Sequence, residues 1–155
     1  MLRIGIIKEG KIPQDTRVPL IPSQASFLLS KYTDIEIKIE KSHIRCYKDE
    51  EYINQNLDVS PNLNDCDLLL GVKEVPVEML IPGKTYMFFS HTIKEQLYNR
   101  NLLREILKKK IRLIDYEVLT DNKQRILGGE LEKYTGHAKK RALRNIENTR
   151  KIISS

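Results

Sequence analysis

Three side chains in this sequence form an incomplete set of chemical tools: Arg17, Lys73 and His91, each where a strand-like run gives way to a loop. A guanidinium fork grips a carboxylate through two parallel hydrogen bonds. An ammonium set against apolar surroundings and a second cation loses proton affinity and approaches the range of a general base. Imidazole exchanges protons near neutral pH. Each residue also has a plainer reading. Arg17 can pair with Asp15 at the surface, Lys73 with Glu74 beside it can sit in water, and His91 can be a satisfied structural histidine. None of the seven glycines completes a G-x-G-x-x-G or G-x-x-x-x-G-K-[ST] loop, the two that cradle nucleotide phosphates. The tool set is that of half an enzyme.

The elements that must carry these residues alternate along the chain. Leu2–Ile7 reads as a buried strand, Pro22–Tyr32 as a helix with proline in its first turn, and Asp34–Glu40 as a strand with one solvated face. A short helix follows near Asp49–Gln55. Asp67–Val72 is a continuous apolar run, as a central parallel strand requires, and Lys73 comes directly after it. Thr85–Ser90 forms a further strand ending at His91, Gln96–Lys110 a helix with Leu103, Ile106 and Leu107 on one face, and Ile111–Glu117 the next strand. Such alternation predicts an α/β fold with a parallel sheet and helices on both faces. Ligands in such sheets bind beyond the carboxyl ends of the strands, where Lys73 and His91 fall.

Composition narrows the classes. At 155 residues, 40% hydrophobic and 31% charged, the chain fits one ordinary globular domain, and its apolar runs are too short to span a bilayer. The opening Met1–Ile7 reads as a strand rather than a signal peptide, so a cytoplasmic protein is expected. Cys46 and Cys66 belong to no redox or metal pattern, and His43, His91 and His137 are too scattered for a zinc site, so no metal is expected. The net charge of +6 is concentrated in residues 128–155, which hold seven Lys/Arg against three Glu. There Ala138–Ile153 spaces Ala142, Leu143, Ile146, Ile152 and Ile153 as a basic amphipathic helix.

The series Ile6–Gly10, Asp15–Ser23, Leu68–Pro76, Phe88–Gln96 and Leu113–Leu119, taken in order, resembles the N-terminal domain of the alanine dehydrogenase, transhydrogenase and saccharopine dehydrogenase superfamily. Ser90-His91-Thr92-Ile93-Lys94 tilts the likeness toward the lysine-forming saccharopine dehydrogenases. The resemblance covers roughly residues 1–127 and implies a Rossmann-like catalytic domain. It implies that Lys73 and His91 transfer protons, that Arg17 and Gln96 bind substrate, and that Arg125 lies near a dinucleotide contact. The implied reaction is oxidative deamination with NAD, saccharopine giving lysine and 2-oxoglutarate. Relatives continue into a glycine-rich segment and a nucleotide-binding domain. Here Gly128–Tyr134 leads into the basic helix, so residues 128–155 form a divergent tail and the chain is expected to be inactive alone. It is then a fragment, a truncated product, one half of a split enzyme or a remnant. Three functions stay open: a catalytic half that needs a separate nucleotide domain, a ligand-binding or regulatory module that lost the chemistry, and a basic tail that binds nucleic acid or an acidic partner. The tail also offers a docking surface for the missing domain or a second copy of the chain.

Overall fold

Apolar runs long enough to be covered on both faces become the middle of a sheet, and those with charged alternation become its flanks. The computed structural model describes residues 1–92, 97–121 and 124–125. It places six strands: β1 (Leu2–Ile6), β2 (Ile35–Glu40), β3 (Asp58–Ser60), β4 (Leu68–Leu70), β5 (Thr85–Phe88) and β6 (Arg112–Asp115). They form one sheet in the order β3-β2-β1-β4-β5-β6, with every neighbouring pair parallel. The chain therefore steps outward from β1 through β2 to β3, returns to the other side of β1, and steps outward again. Strand direction of travel reverses between β1 and β4, the point at which α/β sheets open a crevice.

Both pleats of the central strands are buried. On one, Ile6, Leu70 and Met87 lie in register. On the other, Leu69, Tyr86 and Phe88 join Leu63, Cys66, Leu80, Leu102, Ile106 and Ile111 in one core cluster. Helix α3 (Arg100–Lys108) supplies Leu102 and Ile106 to that cluster. The expected apolar face was one position off: Leu103 and Leu107 are exposed, and Leu102 is the leucine buried with Ile106. The helix is also shorter at its start than its spacing suggested, because a 3-10 turn, Leu97–Asn99, precedes it.

Helix α1 (Pro22–Lys31) packs against β2 and buries Ala25 and Leu28. Proline suits its first turn, where the missing N–H has no helical partner to lose, and the Gln24 side chain accepts the Ile21 N–H at 3.1 Å. Helix α2 (Asp49–Ile53) opens on Asp49, Glu50 and Glu51, charges that favour the positive end of a helix dipole. Its anchor is Tyr52, fully buried, whose hydroxyl donates to the Leu20 carbonyl at 2.9 Å. Strand β3 went unforeseen because three residues with an exposed Asp58 carry no periodic signal.

Gly5 has a packing reason. It pairs with Leu69, and a Cβ there would stand 2.8 Å from both Leu63 Cδ1 and Leu69 Cδ2 and 3.1 Å from Cys66 Sγ. Gly5→Ala is therefore expected to destabilise the domain by about 1–3 kcal/mol through overpacking, read as a lower urea midpoint at unchanged slope.

The chain divides into two compact units, Met1–Tyr116 and Glu117–Ser155. Within the second, the two short strands β7 (Thr120–Asp121) and β8 (Gln124–Arg125) pair antiparallel. The basic helix expected over Ala138–Ile153 lies outside the described residues. Among the described residues no helix is long and apolar enough to cross a membrane.

Candidate functional site

Parallel strands deliver their carboxyl ends to one edge of the sheet, so the loops after β1, β4 and β5 meet there. The loop after β1 carries Glu9, the exit of β4 carries Lys73 and Glu74, and the exit of β5 carries His91. Two carboxylates, Glu9 and Glu74, tie these segments together, and a third, Asp15, pairs within the first loop.

Glu9 is buried, and its two oxygens accept the backbone N–H groups of Val72 at 2.7 Å and Lys73 at 2.9 Å. It thereby bridges the crevice at the β1–β4 reversal. Burial raises its pKa above the ordinary carboxylate range despite these two bonds, and the charge of Asp15 adds to the rise while that of Arg17 opposes it. Gly71 gives the neighbouring Ile7 room, since a Cβ there would approach Ile7 Cδ1 to 2.7 Å, whereas Glu9 Oε1 at 3.5 Å would be in ordinary contact.

Glu74 is also buried. Its Oε2 takes the Lys11 ammonium at 2.7 Å, and its Oε1, without a hydrogen-bond partner among the described residues, lies 4.0 Å from His91 Nε2. The acid next in sequence to Lys73 thus faces Lys11 and His91. The Lys73 ammonium is itself partly buried and forms no hydrogen bond or ion pair among the described residues.

Asp15 and Arg17 form the pair that their spacing allows. The Arg17 guanidinium donates from Nε at 2.9 Å and from Nη2 at 2.6 Å to the two Asp15 oxygens, and the Arg17 backbone N–H donates to Oδ1 at 3.0 Å. The Arg17 hydrogen bond holds Asp15 below the usual carboxylate range, and the charge of Lys73 acts in the same direction. Arg17 and Lys73 therefore act on the same pair of acids, Arg17 on both Glu9 and Asp15 and Lys73 on Asp15, while His91 faces Glu74.

Of the remaining expected site residues, Gln96 lies outside the described residues, and Arg125 is described by its backbone alone, in β8 of the second unit. The sequence reading passed over Glu9 and Lys11 because acids and lysines in a loop ordinarily read as solvated. Cys66 is a buried thiol, pushed by burial up to about 11, and Cys46 is exposed and free.

The run from Gly5 to Lys11 has the glycine and lysine spacing of a phosphate loop, but Ile12 replaces its hydroxyl residue. The geometry differs too. Gly5 lies inside β1, a Cβ on Gly10 would stand 2.4 Å from Met79 Sδ, and Lys11 is held by Glu74. The N–H groups at this crevice are occupied by the Glu9 carboxylate, and no helix begins before Pro22. These residues do not fit a dinucleotide phosphate.

Comparison with known proteins bears on the family and the fold. The model of the family described as "Alanine dehydrogenase/PNT, N-terminal domain" matches residues 5–128. The "Alpha-aminoadipic semialdehyde synthase" of Arabidopsis thaliana is 36% identical over 140 residues, covering 87% of this chain and 13% of that protein. The "Alpha-aminoadipic semialdehyde synthase, mitochondrial" of Bos taurus is 41% identical over 109 residues, covering 70% of this chain and 12% of that protein. The chain thus spans about one eighth of the curated relatives it matches. Among solved structures, an L-alanine dehydrogenase superposes with a TM-score of 0.65 at 21% identity, over 81% of this chain and 35% of that one.

Proposed function

Because the chain belongs to the alanine dehydrogenase/PNT N-terminal domain family, we propose that it is the substrate-binding and acid–base half of an amino-acid dehydrogenase of the saccharopine-to-lysine and 2-oxoglutarate type. Residues 1–127 form the catalytic domain and 128–155 a separate tail. The family reaction uses NAD, which takes hydride when bound; the residues of the crevice do not fit its phosphates, so the dinucleotide would be held by residues other than these.

The observation that carries this reading is the convergence of the β4 and β5 exits on one buried carboxylate, with Lys11 on one oxygen of Glu74 and His91 facing the other. Lys73 and His91 hold and move the protons of an amine and an imine-derived carbonyl. Arg17 takes a substrate carboxylate by exchanging Asp15 for it, and Gln96 contacts the same substrate. By the family resemblance, Arg125 lies near a position that contacts the dinucleotide.

An amide NMR titration of the chain with saccharopine, lysine, 2-oxoglutarate, alanine, pyruvate and NAD tests this. Shifts around Arg17, Lys73 and His91 are expected with saccharopine or 2-oxoglutarate, and none with NAD. Arg17→Ala is expected to weaken that binding about tenfold or more, the worth of a charge-assisted hydrogen bond. Absence of any response to the amino and oxo acids would overturn the substrate assignment.

A further inference from the structure

His91 is held in a conformation that its side chain resists. Its φ is +54°, the left-handed region in which a Cβ crowds the following carbonyl. Such outliers persist only where the surroundings over-determine them, and they gather at functional sites. The surroundings here come from two separate elements.

The first is the turn that precedes α3. Asn99 is buried, and its Nδ2 donates to the His91 carbonyl at 3.0 Å. The second is β6. Ser90, fully buried, donates its hydroxyl hydrogen to the Asp115 carboxylate, and its Oγ accepts the Thr92 N–H at 3.2 Å, with Thr92 Oγ1 2.7 Å away. The peptide unit that follows His91 is thereby held at both its carbonyl and its N–H, and the residue before it is anchored through the Ser90 side chain. The ring is then stacked on Phe89, 6.5 Å between centroids at 21°, and Tyr116 meets Phe89 edge-on at 5.0 Å. What the arrangement achieves is the 4.0 Å approach of His91 Nε2 to Glu74 Oε1.

We propose that Asn99 and Asp115 are positioning residues for the proton-transfer function of His91, fixing a strained turn so that its imidazole faces the buried Glu74 carboxylate. The proposal rests on the reading of His91 given above. Neither residue touches the reacting atoms; both act through the backbone of the turn.

The test follows the His91 ring in the intact chain by its Cε1–Hε1 NMR signal and the nuclear Overhauser contact of that proton with the Phe89 ring, with His91→Gln assigning the resonance. Three variants are compared: Asn99→Ala, Asn99→Leu, which keeps volume without a donor, and Asp115→Asn, which keeps shape while weakening the Ser90 bond. A ring released from its turn leaves Phe89, so the contact is expected to be lost and the Cε1–Hε1 signal to shift. The signals of His43 and His137 are expected to stay where they are. A purely structural role would lower the melting temperature and leave the His91 contact and signal unchanged, and that result in any folded variant overturns the proposal. The unmutated chain, titrated in parallel with 2-oxoglutarate, separates the two questions. Failure to bind there refutes the functional reading, whereas an unchanged His91 contact refutes only the positioning roles.

Discussion

Glu9→Ala is expected to lower the unfolding free energy by about 3 kcal/mol, because it leaves the buried N–H groups of Val72 and Lys73 without an acceptor. It also unties β1 from the exit of β4, so the amide resonance of Lys73 should move in the variant even where the fold survives. Urea unfolding followed by circular dichroism measures the first effect. A loss under 1 kcal/mol, about the worth of an ordinary exposed bond, would show that water replaces the carboxylate and that the crevice is more open than its burial implies.

The pH dependence of this residue has a definite sign. Burial raises its pKa above the ordinary 4.5, so the native state keeps the Glu9 proton to higher pH than the unfolded chain does. Its titration then contributes stability fully at low pH, and that contribution is lost as pH rises from 4.5 through the native value. Glu9→Gln cannot titrate and serves as the reference. The stability of wild type relative to Glu9→Gln should decline as pH rises above 4.5. A difference that grows with pH would mean that the two N–H bonds outweigh burial and that the carboxylate is ionised throughout.

The largest effect is expected on turnover. In the chain joined to a nucleotide-binding domain, Lys73→Met and His91→Gln should each reduce kcat by about a hundredfold to ten-thousandfold, the range contributed by a positioned acid or base. Neither should change stability greatly, since both side chains lie only partly buried. Steady-state kinetics in the deamination direction would measure it, with KM reported separately. A kcat within threefold of wild type in either variant would remove that residue from the proton-transfer path and leave it a binding role at most. Their combined variant should fall short of the product of the two losses if both protons pass through one chain of groups.

Much of this architecture was legible in residue pattern. The runs around Ile4, Leu69 and Phe88 are apolar on both pleats and became central strands, and Ile35, Ile37 and Ile39 alternate and became β2. Strand exits followed from those, and with them the placement of Lys73 and His91. What local pattern does not carry is pairing at long range. The order of the sheet, the reversal between β1 and β4, and the burial of Glu9 and Glu74 all depend on which distant segments meet. Glu9 sits between Lys8 and Gly10 like any loop acid until the backbone of Val72 and Lys73 arrives above it. The left-handed turn at His91 is hidden for another reason. No glycine or asparagine marks it, because its conformation is imposed by Asn99 and Asp115 and not chosen by the residue itself.

The return of the chain from β3 to the far side of β1 also sets when the crevice can exist. The Glu9–Lys73 contact closes a separation of 64 residues, and loops of that length form slowly compared with local turns. In chain order β2, the partner on one side of β1, precedes β4, the partner on the other. A chain emerging from a ribosome would therefore hold one backbone edge of β1, its N–H and C=O groups unpaired, until β4 has been made, and the binding crevice is born late, in the same event that seals that edge.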